Sequence, residues 1–134
     1  KQTLRLDVDP RASRMVVDPA KLHDIARNLI ENAIAYTPEG GTIEVNARLA
    51  GNRYEIVVAD DGPGIPPEHL TRVFERFYRV DKSRARPGGT GLGLAIVKNL
   101  VSVMQGDVTV ANRPEGGAVF TVKLPVREVP DRTD

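Results

Sequence analysis

Apolar and polar residues alternate at Leu4, Leu6 and Val8, a period of two that predicts a short strand. Met15-Val16-Val17 predicts a second. Asp18-Pro19 then reads as a helix start, with Asp as the N-cap and Pro at the first helical position. Leu22, Ile25, Ala26, Leu29, Ile30 and Ala33 follow at helical spacing and give that helix one apolar face, to about Tyr36. Thr37-Pro38-Glu39-Gly40-Gly41 stops it, since Pro and paired Gly do not continue a helix. Strands are expected at about 42–49 and 53–60, joined by a tight turn at Gly51-Asn52. Asp60-Asp61-Gly62-Pro63-Gly64-Ile65-Pro66 is a loop by composition, and 67–73 reads as a short helix. Residues 74–90 have no period and several Arg, Pro and Gly, which predicts a long mobile loop of the kind that carries function. Leu92, Leu94, Ala95, Ile96, Val97, Leu100, Val101 and Met104 form a strongly apolar helix ended by Gly106. Two last strands, at 107–112 and 118–125, are joined by Arg113-Pro114-Glu115-Gly116-Gly117, and 126–134 reads as a flexible tail. No repeat or interdomain linker interrupts residues 1–134, so a single domain is expected. Helices set between hairpin strands predict an α/β fold, an α+β two-layer sandwich. Its mixed sheet of about five strands would be covered on one face by about three helices.

Composition narrows the function. With 134 residues and 40% hydrophobic positions, the chain suits one packed core. A formal net charge of +1 is too balanced for a dedicated nucleic-acid binder, so no nucleic-acid partner is expected. The absence of cysteine excludes disulfides, zinc–thiolate sites and thiol catalysis, and is compatible with the cytosol. No apolar run approaches the ~20 residues that span a bilayer. The chain opens in mid-pattern at Lys1-Gln2-Thr3, which reads as an excised domain.

Four clusters carry candidate chemistry. Asn28 and Asn32 lie four apart, hence side by side at the edge of the apolar stripe of the first long helix. Their carbonyl oxygens are hard, neutral donors suited to Mg²⁺, which takes few protein ligands and completes its shell with phosphates and water; alternatively both amides cap neighbouring loops. Asp60 ends a strand and begins Asp60-x-Gly62-x-Gly64, where a carboxylate can accept from the exocyclic amine of adenine and glycines let backbone pass close to a flat ring; the alternative is an ordinary Asp-Gly turn. Gly88-Gly89-Thr90-Gly91-Leu92-Gly93 opens the last long helix, so exposed N–H groups and the positive dipole end suit phosphates. It lacks both the Lys-Ser/Thr ending of a P-loop and the spacing of a dinucleotide fold, and a structural hinge is the alternative. Arg72, Arg76, Arg79, Lys82, Arg84 and Arg86 crowd one stretch, either to compensate a triphosphate or as a solvated basic face. Phe74, Phe77 and Tyr78 suit a hydrophobic latch for that loop. His23 and His69 read as surface or supporting residues, not as phospho-acceptors.

Taken in order, the clusters resemble sensor histidine kinases. Asn28-Leu-Ile-Glu-Asn32-Ala-Ile-Ala-Tyr36-Thr resembles their N box, and Asp60-Asp-Gly-Pro-Gly-Ile-Pro their G1 box. Phe74-Glu-Arg-Phe77-Tyr-Arg resembles the F box, Gly89-Thr-Gly-Leu-Gly-Leu-Ala-Ile-Val-Lys the G2 box, and Gly116-Gly-Ala-Val-Phe120-Thr-Val-Lys-Leu-Pro the closing strand. The likeness covers nearly the whole chain. It implies the Bergerat ATP-binding fold of the GHKL superfamily, shared with gyrase, Hsp90 and MutL.

The resemblance also implies roles. Asn32 would coordinate Mg²⁺, Asn28 would assist at the phosphates, and Asp60 would read adenine, with Gly62, Gly64 and Ile65 shaping its pocket. Tyr36, Thr90, Leu92 and Leu94 would line the nucleotide site, Gly89, Gly91 and Gly93 would approach the phosphates, and Arg79 would approach the γ-phosphate. The basic residue usual before the N-box Tyr is Ala35 here, so Arg79, Lys82 or Arg84 would have to supply that charge. The implied cofactors are ATP and Mg²⁺. The implied reaction is γ-phosphoryl transfer to a histidine on a separate dimerisation domain, for relay to a response regulator. ATPases of this fold carry a Glu at the position of Asn28 to activate water, which favours the kinase; a GHKL-type ATPase is the first alternative and a degenerate nucleotide-binding module the second. The expected setting is a cytoplasmic domain, monomeric alone, within a bacterial homodimer anchored in the plasma membrane.

Overall fold

A computed structural model describes residues 3–8, 19–76, 78 and 93–125. The strand expected at Met15–Val17, the Asp18 cap, most of the 74–90 loop and the tail at 126–134 lie outside them. The elements run β1 (Thr3–Val8), α1 (Pro19–Tyr36), β2 (Thr42–Ala50), β3 (Arg53–Asp60), α2 (Gly93–Val103), β4 (Asp107–Asn112) and β5 (Ala118–Pro125). The five strands form one sheet in the order β1-β2-β3-β5-β4. β1 pairs parallel with β2, and the other neighbours are antiparallel. The sheet is therefore mixed, as its hydrophobic pattern predicted.

Register explains which face is covered. Val45 pairs with Val58 and Ala47 with Ile56 across β2 and β3; Ile56 pairs with Val122 and Val58 with Phe120 across β3 and β5. Because side chains alternate along a strand, these residues point to one face, where they are buried or half-buried. The opposite face carries Arg48, whose guanidinium meets Glu55 at 2.8 Å. α1 lays Ile25, Leu29 and Ala33 onto the apolar face, and α2 adds Val97 and Val101. Each fully buried side chain of this size contributes roughly 1.5–3 kcal/mol relative to exposure.

Two local details differ from the sequence pattern. The helix expected over 67–73 is only a three-residue 3-10 turn, Pro67–His69. It is followed by further short turns, Arg72 N–H to His69 O and Glu75 N–H to Arg72 O. Every bond in the run spans three residues, so the segment is a series of tight turns and not an α-helix. Two α-helices and this turn thus stand where about three helices were expected, among the described residues.

The end of α2 differs too. Gly106 donates to Val101 O and Gln105 to Ser102 O, the paired bonds of a Schellman cap. The left-handed residue of that cap is Gln105, at φ 62°, and not Gly106. Gly106 is needed for a different reason: a Cβ there would stand 2.3 Å from Lys123 O of β5.

Candidate nucleotide site

Asp60 closes β3 on the inner face of the sheet and is 5% exposed. A carboxylate so buried needs partners. Its Oδ1 accepts from Gly62 N–H at 2.9 Å and from Ala118 N–H at 3.3 Å. Among the described residues both bonds fall on that one oxygen. Asp61, chemically identical, points elsewhere: its Oδ1 accepts from Thr42 N–H at 2.9 Å and ties the loop to the start of β2.

The β4–β5 connection holds this loop from behind. Asn112 Oδ1 accepts from Ile65 N–H at 2.8 Å, and Asn112 Nδ2 donates to Ile65 O at 2.7 Å. Arg113 Nη1 donates to the Asp60 carbonyl oxygen at 3.0 Å while its Nη2 reaches Glu115 Oε2 at 3.0 Å. That guanidinium holds the Glu115 carboxyl below its ordinary range. Gly117, at φ +94°, packs so closely that a Cβ would stand 1.9 Å from Asp60 O. Asn112, Arg113 and Gly117 were not among the residues nominated from the sequence. They lie about fifty positions from the loop they hold, and no spacing signals the contact.

The second group lies on the helices. Asn28 and Asn32 are half-buried beside the stripe of Ile25, Leu29 and Ala33. Asn28 Nδ2 donates to Asp24 O at 2.8 Å, one turn earlier. The bond is to its own helix, so Asn28 does not cap a neighbouring loop through it. Its Oδ1 faces the first residue of α2: a Cβ on Gly93 would lie 3.2 Å from it. An amide carbonyl thus sits beside a helix N-terminus, where N–H groups and the dipole favour anions. Leu94, next along, is half-buried against the core.

Between the two groups, Phe74 meets Phe120 edge-to-face with centroids 6.0 Å apart. His69 Nδ1 hydrogen-bonds the Tyr78 hydroxyl. Arg72 stacks over the Tyr78 ring at 4.6 Å and pairs with Glu75 at 3.1 Å, and the Glu75 hydrogen bond holds its pKa above the ordinary value. Arg72 is thus engaged by the Tyr78 ring and Glu75. His23 is exposed, 3.6 Å from Asp24. Gly62 is buried, and Gly64 and Ile65 are half-buried at the rim of the Asp60 loop. Arg79, Lys82, Arg84, Gly89, Thr90, Gly91 and Leu92 lie outside the described residues, as does the side chain of Tyr36.

Both ends suit a nucleotide. A buried carboxylate with one oxygen already held matches an amine donor, and the Gly93 approach leaves a side-chain-free cradle beside Asn28. Among the described residues, no group of three or more acidic, His or Cys side chains is placed to hold a metal ion. Neutral amide oxygens suit a cation that draws most of its ligands from phosphate.

The chain is similar to known proteins over most of its length. A family model described as histidine kinase-, DNA gyrase B-, and HSP90-like ATPase matches residues 17–128. The sensor-like histidine kinase SenX3 of Mycolicibacterium smegmatis is 44% identical over 123 residues, covering 91% of this chain and 32% of that protein. The sensor histidine kinase CusS of Escherichia coli is 45% identical over 109 residues, 81% of this chain and 22% of that protein. The chain thus spans a third or less of the length of these relatives. Among solved structures, the mycobacterial sensor histidine kinase MprB superposes with a TM-score of 0.80 at 31% identity, covering 96% of this chain and 86% of that one. Full-length ShkA in complex with AMPPNP superposes with a TM-score of 0.79 at 32% identity, covering 98% of this chain and 27% of that one.

Proposed function

Because this chain belongs to the histidine kinase-, DNA gyrase B-, and HSP90-like ATPase family, as the ATP-binding catalytic domain of a histidine kinase, we propose that it binds Mg·ATP across the Asp60 loop and the Asn28–Gly93 junction. It passes the γ-phosphoryl to a histidine of a separate dimerisation domain. The observation that carries this reading is Asn28. Its amide faces the α2 N-terminus, where a self-sufficient ATPase of this family would present a carboxylate base. An amide cannot take a proton from water, whereas a neutral imidazole is a nucleophile without help.

Phosphoryl transfer needs position and charge compensation more than covalent catalysis. Asp60 accepts from the exocyclic amine of the base, with Gly62, Gly64 and Ile65 against the ring. The N–H groups at Gly93 and the Asn28 amide orient the phosphates, assisted by Gly89, Thr90, Gly91, Leu92 and Leu94. Asn32 holds Mg²⁺, which neutralises charge on the phosphate oxygens. Arg79, Lys82 and Arg84 add positive charge toward the γ-phosphate, and Tyr36 lines the site. The P–O bond to ADP breaks as a bond to the acceptor nitrogen forms.

The partners that follow are a dimerisation and phospho-acceptor domain and, downstream, a response regulator. This domain is a monomer by itself and part of a homodimer in the whole kinase. None of the described helices is long and apolar enough to cross a membrane; we place the domain on the cytoplasmic side of a bacterial membrane-anchored sensor.

The test supplies Mg·ATP and a separately expressed acceptor-histidine domain. Acid-labile phosphate on that domain, with little free phosphate from this chain alone, is expected. Rapid release of free phosphate without transfer to any acceptor would overturn the kinase reading in favour of an ATPase. Absence of both, with several acceptor domains tried, would favour a degenerate module.

A further inference from the structure

Nothing above gives the β4–β5 connection a task in nucleotide recognition, yet its contacts converge on the loop that Asp60 begins. Asn112 makes two hydrogen bonds to one residue, Ile65, taking its N–H and giving to its carbonyl. This is how a strand neighbour pairs, performed here by a side chain. Asn112 Oδ1 also lies where a Cβ on Gly64, at φ +82°, would come within 2.9 Å. Arg113 grips the other end of the loop at the Asp60 carbonyl. Asn112 is exposed, and a hydrogen bond made in contact with water adds little net stability. Two such bonds to one backbone unit serve geometry better than stability.

We propose that Asn112 and Arg113 are positioning residues for the nucleotide base: through the backbones of Ile65 and Asp60 they set the height of the 62–65 loop against the adenine. The inference rests on the reading of Asp60 as the adenine acceptor. A loop held in its binding conformation before the ligand arrives costs less to order on binding. Loss of the clamp therefore weakens nucleotide binding while leaving transfer from bound nucleotide intact.

The test compares Asn112→Leu, which can make neither bond, with Asn112→Asp, which keeps the acceptor and loses the donor. Calorimetry with Mg·ATP is expected to give about tenfold weaker binding for Asn112→Leu and about threefold for Asn112→Asp, if each bond is worth a few-fold in affinity. Amide exchange should quicken at Gly64 and Ile65 and stay unchanged at Val58 and Val122 in the sheet. With an acceptor domain supplied, KM for ATP should rise and kcat stay level. Faster exchange at Ile65 with unchanged ATP affinity would overturn the proposal. So would affinity lost only together with protection at Val58 and Val122. If Asn112→Leu does not fold, Asn112→Asp carries the affinity and KM readouts, its retained acceptor keeping the Ile65 N–H protected. An Asp60→Asn arm separates the two levels: if it leaves ATP affinity unchanged, the base-binding reading fails, and if it weakens ATP while neither Asn112 variant does, only the positioning role fails.

Discussion

The carbonyl oxygen of the Asn28 side chain lies 3.2 Å from where a Cβ on Gly93 would stand, so a methyl group there would press on the amide. The Asn28 amide is also tied to Asp24 O and can yield only by straining that bond. Gly93→Ala should therefore shift the amide by a few tenths of an ångström. Acceptor phosphorylation should fall about tenfold, since small misplacements at a reacting centre are costly, while Tm changes little. Full activity despite a shifted amide environment by NMR would show that Asn28 does not orient the phosphates.

Asp60→Asn keeps an oxygen that can accept from Gly62 and Ala118, so the fold should persist. The second carboxylate oxygen becomes an amide donor facing another donor. ATP affinity should fall by about two orders of magnitude, as when a buried polar partner is mismatched, and GTP affinity by less. Titration calorimetry decides it; equal losses for both nucleotides would remove base reading from Asp60.

Gly117→Ala places a methyl group 1.9 Å from Asp60 O at a positive φ. Overpacking and left-handed backbone together should cost about 3–5 kcal/mol in urea denaturation. A loss under about 1 kcal/mol would mean the hairpin can retreat from the loop without consequence.

Gln105→Gly is expected to stabilise the domain by roughly 0.5–1 kcal/mol, because it relieves a left-handed non-glycine residue at the α2 cap. The Schellman bonds of Gln105 and Gly106 should survive unchanged. Thermal unfolding gives the sign, and a lower Tm would show that the Gln105 side chain contributes more than its backbone costs.

How much of this was legible beforehand varied with the range of the contact. The period of Ile25, Leu29 and Ala33 marked the buried face of α1, and the alternation in 53–60 marked β3, because burial within an element repeats along the chain. Asp60 is singled out over Asp61 by its place at the strand end and the Asp-x-Gly-x-Gly spacing; the chemistry of the two carboxyls is the same, and only the fold turns one inward and the other toward Thr42. Arg72 looked like part of the basic cluster, since no spacing rule reveals its stacking on Tyr78. The Asn112 and Arg113 clamp was illegible because it joins two loops through a pairing that only the β3–β5 register creates.

Glu115 offers a pH readout of that clamp. Arg113 lowers its pKa from 4.5, so the pair adds stability above the unfolded Glu value and loses it as pH falls through the folded one. The group is exposed, and the effect on global stability should be slight. Carboxyl NMR should show a lowered midpoint that returns toward 4.5 in Arg113→Gln. No change in that variant would mean that Arg113 and Glu115 do not pair in solution.

Asp60 belongs to the sheet, whereas Asn28 and Gly93 belong to the helical layer above it. In the proposed complex, a nucleotide held at both ends would be a cross-tie between the two layers, added to the apolar side chains that pack them together. When the triphosphate is shortened, the grip at the sheet would survive and the grip at the helices would slacken, so the spent nucleotide would be held by its base alone, on one layer and no longer across both.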